Sequence, residues 1–483
     1  MKKVIIISLF FVLMFMSISC VETKFIAKPG SQKPKSDFSY FTSVDAHPYS
    51  ENVLITVSKW KEYFKEGYDT PSQTQISEKC YTFNMDSKKT EPFFDFWPGI
   101  IRFPNAYKNT DIVNWDDFLA DYMPEGNNYY EIGRFIPNKK EYIPLITNNQ
   151  TANAIIVKVF TKQNLVFFYK SKRKEEFQDL WVMNLDGTNQ INITNGTYVM
   201  VSDCILLDNE RIFIDCWHEK DKTSFNYSMI YYPKQNKKVI INKDKTDRIH
   251  YRYLGVYHNH LVMNVYCIDT LKEEIWLYDF DGNKEQTIYA FDNIFSDSYS
   301  WQEFLFDEKR ECIFFVFEST DKKDMISTLN LRTSEMKDIF CQDFTSFDPV
   351  LYLNQENNTL YFTHSIVDLK DDKPIFEKVL HQIDLSTLLD NPLPLPDYAE
   401  NCFSDDYHYV FSFYNDSTSK NNCIIDTRTK KKTSLNKRFH LDYTYPVYLP
   451  SSKQFCFLLE SENPKSIFFI DLDGNVTSYD IRK

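Results

Sequence analysis

Three sets of residues in this chain have the types and spacing to do chemistry. His258-Asn259-His260 would put two imidazoles on one face of an extended segment, which could seed a metal site. No third ligand accompanies them, and they fall where a turn between strands is expected. Asp279-Phe280-Asp281-Gly282 and Asp471-Leu472-Asp473-Gly474 begin like calcium loops. The twelfth residue, where a bidentate glutamate would close the cage, is Ala290 in one and Arg482 in the other, so both read as hairpin turns. Nine cysteines remain besides Cys20, and none forms C-x-x-C. Cys216, Cys267, Cys312, Cys423 and Cys456 lie inside strand patterns, where a thiol behaves as a small apolar group. Cys204 and Cys216 flank one hairpin and could pair in an oxidising compartment. The G-x-S-x-G nucleophile elbow is absent, as are phosphate-loop and dinucleotide motifs. Carboxylates are too numerous to single out a pair for glycoside chemistry. The reading is therefore of no catalytic residue, no metal and no cofactor.

A different kind of site, a ligand platform, is offered by the stretch from Phe93 to Thr147. It is rich in Trp, Phe and Tyr and carries Pro98, Pro104 and Pro124. Trp97, Trp115 and Tyr129 are its candidate platforms for a partner or a sugar ring. Asn109 or Thr110 could cap a short helix running into Trp115 and beyond. The stretch is read as an aromatic insertion around 97–130, with an irregular blade whose aromatics pack inward as the other possibility.

The elements that must position these residues are visible in "DLWVMNLDGTNQINIT", Asp179 to Thr194. Leu180 and Val182 point one way on a strand, Trp181 and Met183 the other, and all are apolar, so both faces are buried. Asn184-Leu185-Asp186-Gly187 then makes a tight turn, because Asx side chains bond their own backbone and Gly tolerates positive φ. Copies recur as "IWLYDFDGNKEQTI" from Ile275 and "IFFIDLDGNVTSYDI" from Ile467. Turn-entry positions at Asn184, Tyr232, Asp279, Asn330, Asp384, Asp426 and Asp471 lie 48, 47, 51, 54, 42 and 45 residues apart. An eighth copy centres on Asn84, about two periods before Asn184. A second aromatic or β-branched strand precedes each copy, as in "NLVFFYKS" and "ECIFFVFES", and a further apolar run precedes that. Four antiparallel strands repeating every 40–50 residues or so predict an all-β fold: one β-propeller of four-stranded blades, eight or alternatively seven, over 37–483.

The unit "LWVMNLDGTNQINIT" resembles the TolB-type (WD40-like, PD40) propeller repeat, with its aromatic strand, N/D-x-D-G turn and closing Ile-Thr. That resemblance implies a fold and leaves function open. Related propellers precede a hydrolase domain in prolyl-oligopeptidase-type enzymes. Here the last copy ends at Ile481, and no such domain is expected. The helical domain that TolB carries has no counterpart either.

The amino terminus sets the expected location. Lys2 and Lys3 precede an apolar run from Val4 to Met16, too short for the roughly 20 residues of a membrane span. Residues 1–19 read as a signal peptide. Ser17-Ile18-Ser19 before Cys20 fits small-x-small cleavage and resembles a bacterial lipobox, which implies lipidation of Cys20. Residues 20–36, polar with Pro29, Gly30 and Pro34, read as a flexible tether. The mature protein is expected at the cell envelope, lipid-anchored on a periplasmic or extracellular face, or else secreted, and as a monomer. A net charge of −13 speaks against nucleic acid as the partner. The expected role is non-enzymatic binding of an envelope protein or peptide. The alternative is a propeller that binds or processes a glycan.

Overall fold

The computed structural model describes residues 38–480, apart from 50–51, 64–71, 93–98, 103–116, 125–128, 137–138, 140, 147–151, 173–178, 197–198, 221–222, 242–247, 271, 292–303, 319–322, 344–345, 348–350, 371–372, 397–398, 415–421, 437–445 and 459–465. The leader, the tether, Cys20, Trp97 and Trp115 lie outside the described residues.

The described chain folds into antiparallel sheets, taken here in chain order. The first holds Phe38–Tyr49, Asn52–Tyr63, Ser72–Asn84 and Lys89–Pro92; the second Gly99–Arg102, Phe118–Pro124, Glu131–Ile136 and Glu141–Ile146. The third holds Ala152–Phe160, Leu165–Lys172, Asp179–Met183 and Ile191–Asn192. The fourth holds Val199–Leu206, Ile212–Lys220, Met229–Tyr232 and Lys237–Ile240, with Thr223–Asn226 added on its second strand. The fifth runs from Ile249–Tyr257 to Lys284–Phe291 and the sixth from Phe304–Asp307 to Met336–Asp343. The seventh is built on the long hairpin Thr359–Lys370 and Lys373–Asp384. The eighth runs from Glu400–Phe403 to Lys432–Ser434, and the ninth from Val447–Leu449 to Val476–Asp480. Along the main path of each sheet neighbouring strands pair antiparallel as a meander, from which Thr223–Asn226 of the fourth sheet and Tyr352–Asn354 and Leu393–Pro394 of the seventh branch off.

Eight of these sheets are the ones that carry the eight turn copies. The sevenfold alternative therefore falls away. The remaining sheet, the second, is built from 99–146, where the turn signature is missing. Part of the aromatic stretch thus belongs to a blade-like sheet: Leu119 is buried with Ile132, Ile146, Ile156 and Phe168 in a core shared with the third sheet. The helix expected after Asn109 is corrected over its distal part, because Phe118–Pro124 is a strand paired on both sides. Helix capping gave way there to burial on both faces of a sheet.

Packing follows from strands that are apolar on both sides. Leu180 and Val182 join Ile212, Ile214 and Tyr231 of the fourth sheet, while Met183 and Trp181 join the second-sheet core. The same two-sided arrangement repeats between fourth and fifth, fifth and sixth, sixth and seventh, seventh and eighth, and eighth and ninth sheets. Phe83 of the first sheet is buried with Leu449, Cys456, Ile467 and Phe469 of the ninth. Strand Ser72–Asn84 also lies against Gly99–Arg102 of the second sheet. The sheets therefore close into a ring, and the fold is a β-propeller of four-stranded antiparallel blades. First strands meet one another across neighbouring sheets: Ala152–Phe160 with Val199–Leu206, Ile249–Tyr257 with Phe304–Asp307, and Glu400–Phe403 with Val447–Leu449. First strands thus line the axis. Last strands such as Lys284–Phe291 form the charged outer edge, which blunts edge-to-edge pairing.

The Asx-Gly turns behave as expected. Asp279 Oδ1 accepts the N–H groups of Asp281 (2.9 Å) and Asn283 (2.7 Å), and Asp471 Oδ1 those of Asp473 (3.0 Å) and Asn475 (2.8 Å). Gly282 has φ +77°, and a Cβ there would lie 2.7 Å from Ile240 O on the preceding sheet; at Gly474 the same construction meets Ser434 O at 2.8 Å. These glycines mark the closest approach of one sheet's turn to the last strand of the sheet before it.

Candidate functional site

A meander repeated around an axis divides its loops between two ends. The turns joining first to second and third to fourth strands open on one end; the second-to-third turns and the sheet-to-sheet links open on the other. At the first of these ends, sheets seven to nine bring together a cluster of rings and carboxylates.

The cluster begins with backbone geometry. In the first-to-second turns, one residue adopts the left-handed region: Asn164 (φ 57°), Glu311 (φ 52°), Asn358 (φ 58°) and Tyr407 (φ 59°). The N–H of each of Asn164, Glu311 and Tyr407 donates to the carbonyl three residues back. Asparagine tolerates this conformation; a bulky tyrosine does so at a cost of about 1–2 kcal/mol. Tyr407 is held there by its surroundings. Its ring stacks on Tyr352 of the seventh sheet at 4.1 Å and 10°, and on Phe403 at 4.7 Å and 15°. Thr427 Oγ1 donates to its carbonyl at 2.8 Å. Tyr352, Phe403 and Tyr448 sit on three successive axial strands, each just before its turn. All three, like Tyr407, are half-buried and keep part of their surface in solvent.

Two carboxylates adjoin this wall and differ in role. Asp406 Oδ1 accepts Ser404 Oγ (2.6 Å) and the His408 N–H (3.0 Å), while Oδ2 meets His408 Nδ1 at 2.9 Å. Burial works against the Asp406 charge, but the bonds from Ser404 and the His408 N–H hold its carboxyl below the usual range. Asp406 is a turn-former. Asp405 is exposed, and its carboxyl is pushed up by partial burial and by Asp406. The phenols of Tyr352 and Tyr448 are pushed up by burial and then by Asp406 and Asp405. Neighbouring donors are already engaged: Arg428 by Asp426 (3.1 Å) and Tyr409 Oη (2.8 Å), and the His408 ring by Asp406. Chemically the site offers aromatic surface beside an uncompensated carboxylate, which suits recognition.

The residues singled out in sequence fare differently. Tyr129 is half-buried just ahead of Glu131–Ile136 and is not brought to this cluster by any described contact. His258 and Asn259 form a two-residue turn with φ 44° and 66°, the geometry that favours tight hairpins. His258 Nε2 meets Glu311 (3.1 Å), whereas His260 Nε2 meets Glu285 (2.6 Å), so the two rings serve different carboxylates. Among the described residues no group of three or more His, Cys, Asp or Glu is arranged to hold a metal ion. Cys204 and Cys216 are free thiols in the core, and burial raises both above the usual thiol range. Cys216 Sγ donates to Tyr227 O at 2.9 Å.

Two further buried polar groups were not anticipated. Asn264 Nδ2 donates to Glu273 at 2.5 Å between the fifth and sixth sheets, and burial pushes the Glu273 carboxyl up to about 7. His381, stacked on Phe362 at 4.7 Å, bonds Asp390 through Nδ1 at 2.7 Å. Sequence reading missed the ring cluster because its parts lie about 50 residues apart. The available signal was a tyrosine, Tyr407, in a first-to-second turn whose left-handed residue is asparagine in two other sheets, at Asn164 and Asn358.

No protein-family model matches this chain, and no curated protein matches it. Solved structures resemble it at very low identity. An oligogalacturonate lyase in complex with manganese is 8% identical with a TM-score of 0.37, covering 92% of this chain and 97% of its own. Porphyromonas gingivalis dipeptidyl peptidase 4 is 10% identical with a TM-score of 0.49, over 86% of this chain and 64% of the peptidase. TolB from Acinetobacter baumannii is 13% identical with a TM-score of 0.29, over 69% and 80%. The fold stands on the sheets and their ring of contacts, and these likenesses select no activity.

Proposed function

We propose that this chain is a non-enzymatic propeller of the cell envelope, anchored through a lipid on Cys20, that binds a protein or peptide at the turn-end rim of sheets seven to nine. The observation that carries the reading is the stacked wall Tyr352–Tyr407–Phe403 beside Asp405, built on axial strands where neighbouring turns converge. Hot spots of binding surfaces favour such rigid, partly buried tyrosines. The lipobox-like Ser17-Ile18-Ser19-Cys20 supports the anchor, and two acyl chains are what stable anchoring needs.

A glycan ligand is the second reading. It is favoured by the same observation, since sugar rings also stack on tyrosines next to carboxylates. Capture from envelope extract by the mature chain and by a Tyr352→Ala, Tyr448→Ala variant tests the rim. A protein captured by the parent and lost by the variant supports the first reading. Protein capture unchanged by the variant overturns it, and oligosaccharide capture lost by the variant supports the second. Palmitate labelling of a Cys20→Ala variant tests the anchor: label should vanish, and undiminished label removes the anchor from the proposal.

A further inference from the structure

The rim also constrains what kind of group it takes, an inference that rests on the rim being the binding surface. Asp406 is consumed by the turn: its oxygens accept from Ser404, the His408 backbone and the His408 ring. Asp405 has no such role. Among the described residues no lysine or arginine pairs with it; Arg428 serves Asp426 and the His408 ring serves Asp406. Asp405 lies next to the like charge of Asp406 and between Phe403 and Tyr407 in the turn, a setting in which a positive group is the favoured partner. The rings themselves contribute, because an aromatic face attracts a cation through its quadrupole. Carboxylate and ring face thus ask for the same ligand charge from two directions. The chain as a whole, at −13, draws cations toward it.

We propose that the rim of sheets seven to nine receives a lysine or arginine side chain of a basic peptide segment, seated against the Tyr352–Tyr407–Phe403 wall with Asp405 as its counter-ion. The stem of such a side chain packs on the ring surface while its charged end meets the carboxylate. A sugar could stack on the rings and donate hydroxyls to Asp405, but it would not neutralise the charge as a cation does.

The test uses the full mature chain and three fluorescein-labelled tetrapeptides, of lysine, serine and glutamate, read by fluorescence anisotropy. Tetralysine should bind, and tetraserine and tetraglutamate should not. Raising salt from about 50 to 300 mM should weaken tetralysine severalfold, as screening requires. Asp405→Asn should weaken it about tenfold, and Tyr352→Leu by a similar factor. Asp405 is exposed and outside the turn's hydrogen bonding, so Asp405→Asn leaves the fold intact. Asp473→Asn, which removes an exposed carboxylate of the ninth sheet's turn, controls for general attraction to an acidic protein and should change nothing. Equal weakening by Asp405→Asn and Asp473→Asn overturns the site, as does binding that ignores both. If envelope capture depends on Tyr352 and Tyr448 while tetralysine fails to bind, the rim stands and the cation assignment falls. If capture ignores the rim as well, both fall.

Discussion

Phe83 holds the first sheet to the ninth, and its replacement by alanine measures how firmly the ring is closed. The side chain is 0% exposed, with ring centroids 5.2 Å from Phe469 and 5.3 Å from Tyr479. Removing a fully buried phenylalanine from a core costs about 3–5 kcal/mol, through lost burial and the cavity left behind. Two aromatic contacts go with it, each worth roughly 0.5–1.5 kcal/mol beyond area burial, which places the expected loss at the upper end of that range. In a ring each sheet rests on two neighbours, so opening one seam loosens the terminal sheets on both sides. Urea unfolding followed by intrinsic fluorescence gives the stability change, and limited proteolysis reports where the chain opens. The expected result is a loss near 4–5 kcal/mol, on the order of the core figure above, with early cleavage at the first or ninth sheet. Phe314→Ala, at the sixth-to-seventh interface and 2% exposed, should cost a similar amount but leave the terminal sheets resistant. A cost under about 1 kcal/mol for Phe83→Ala, the level of a surface change, would refute the closure.

Other expectations follow from particular groups. Burial raises the folded-state pKa of Glu273 to about 7 from 4.5, so its contribution is present below the lower value and lost as pH rises through the upper. Glu273→Gln should therefore raise stability by about 1–3 kcal/mol at pH 8 and change little near pH 4, read by urea midpoints at the two pH values. His364 has the opposite sign: burial, then His381, lowers it to about 4 from 6.5, so stability falls as pH drops between those values. His364→Gln should flatten that acid limb, measured as the slope of unfolding free energy against pH. Gly282→Ala forces a Cβ to 2.7 Å from Ile240 O at φ +77°, whereas Gly196→Ala, at φ +83°, meets nothing within 4 Å. The first should cost about 2–4 kcal/mol and the second about 1 kcal/mol, compared by thermal or urea unfolding; equal costs would show that the turn does not sit against the preceding sheet.

The repeat was legible because each blade restates one local rule. Leu180, Trp181, Val182 and Met183 are all apolar, and each face meets a different neighbouring sheet. Asp279 and Asp471 mark their turns because one carboxylate can accept two backbone N–H groups at short range. The second sheet was harder to see. Its turns lack the Asx-Gly signature, and Asn109 and Thr110 read as helix caps, yet Phe118–Pro124 pairs as a strand on both sides. The candidate site was legible only as parts. Tyr352, Tyr407 and Tyr448 each read as one more aromatic in a chain with 32 tyrosines.

Sequence alone determined the strand alternation, the hairpin turns and the repeat, because those depend on residues within a few positions of one another. Only the tertiary structure decided that the first sheet seals against the ninth, and that Tyr352 and Phe403 both stack on Tyr407 in the turn that carries Asp405. Closure and convergence depend on the twist accumulated over all the sheets, a quantity that no single stretch of chain encodes.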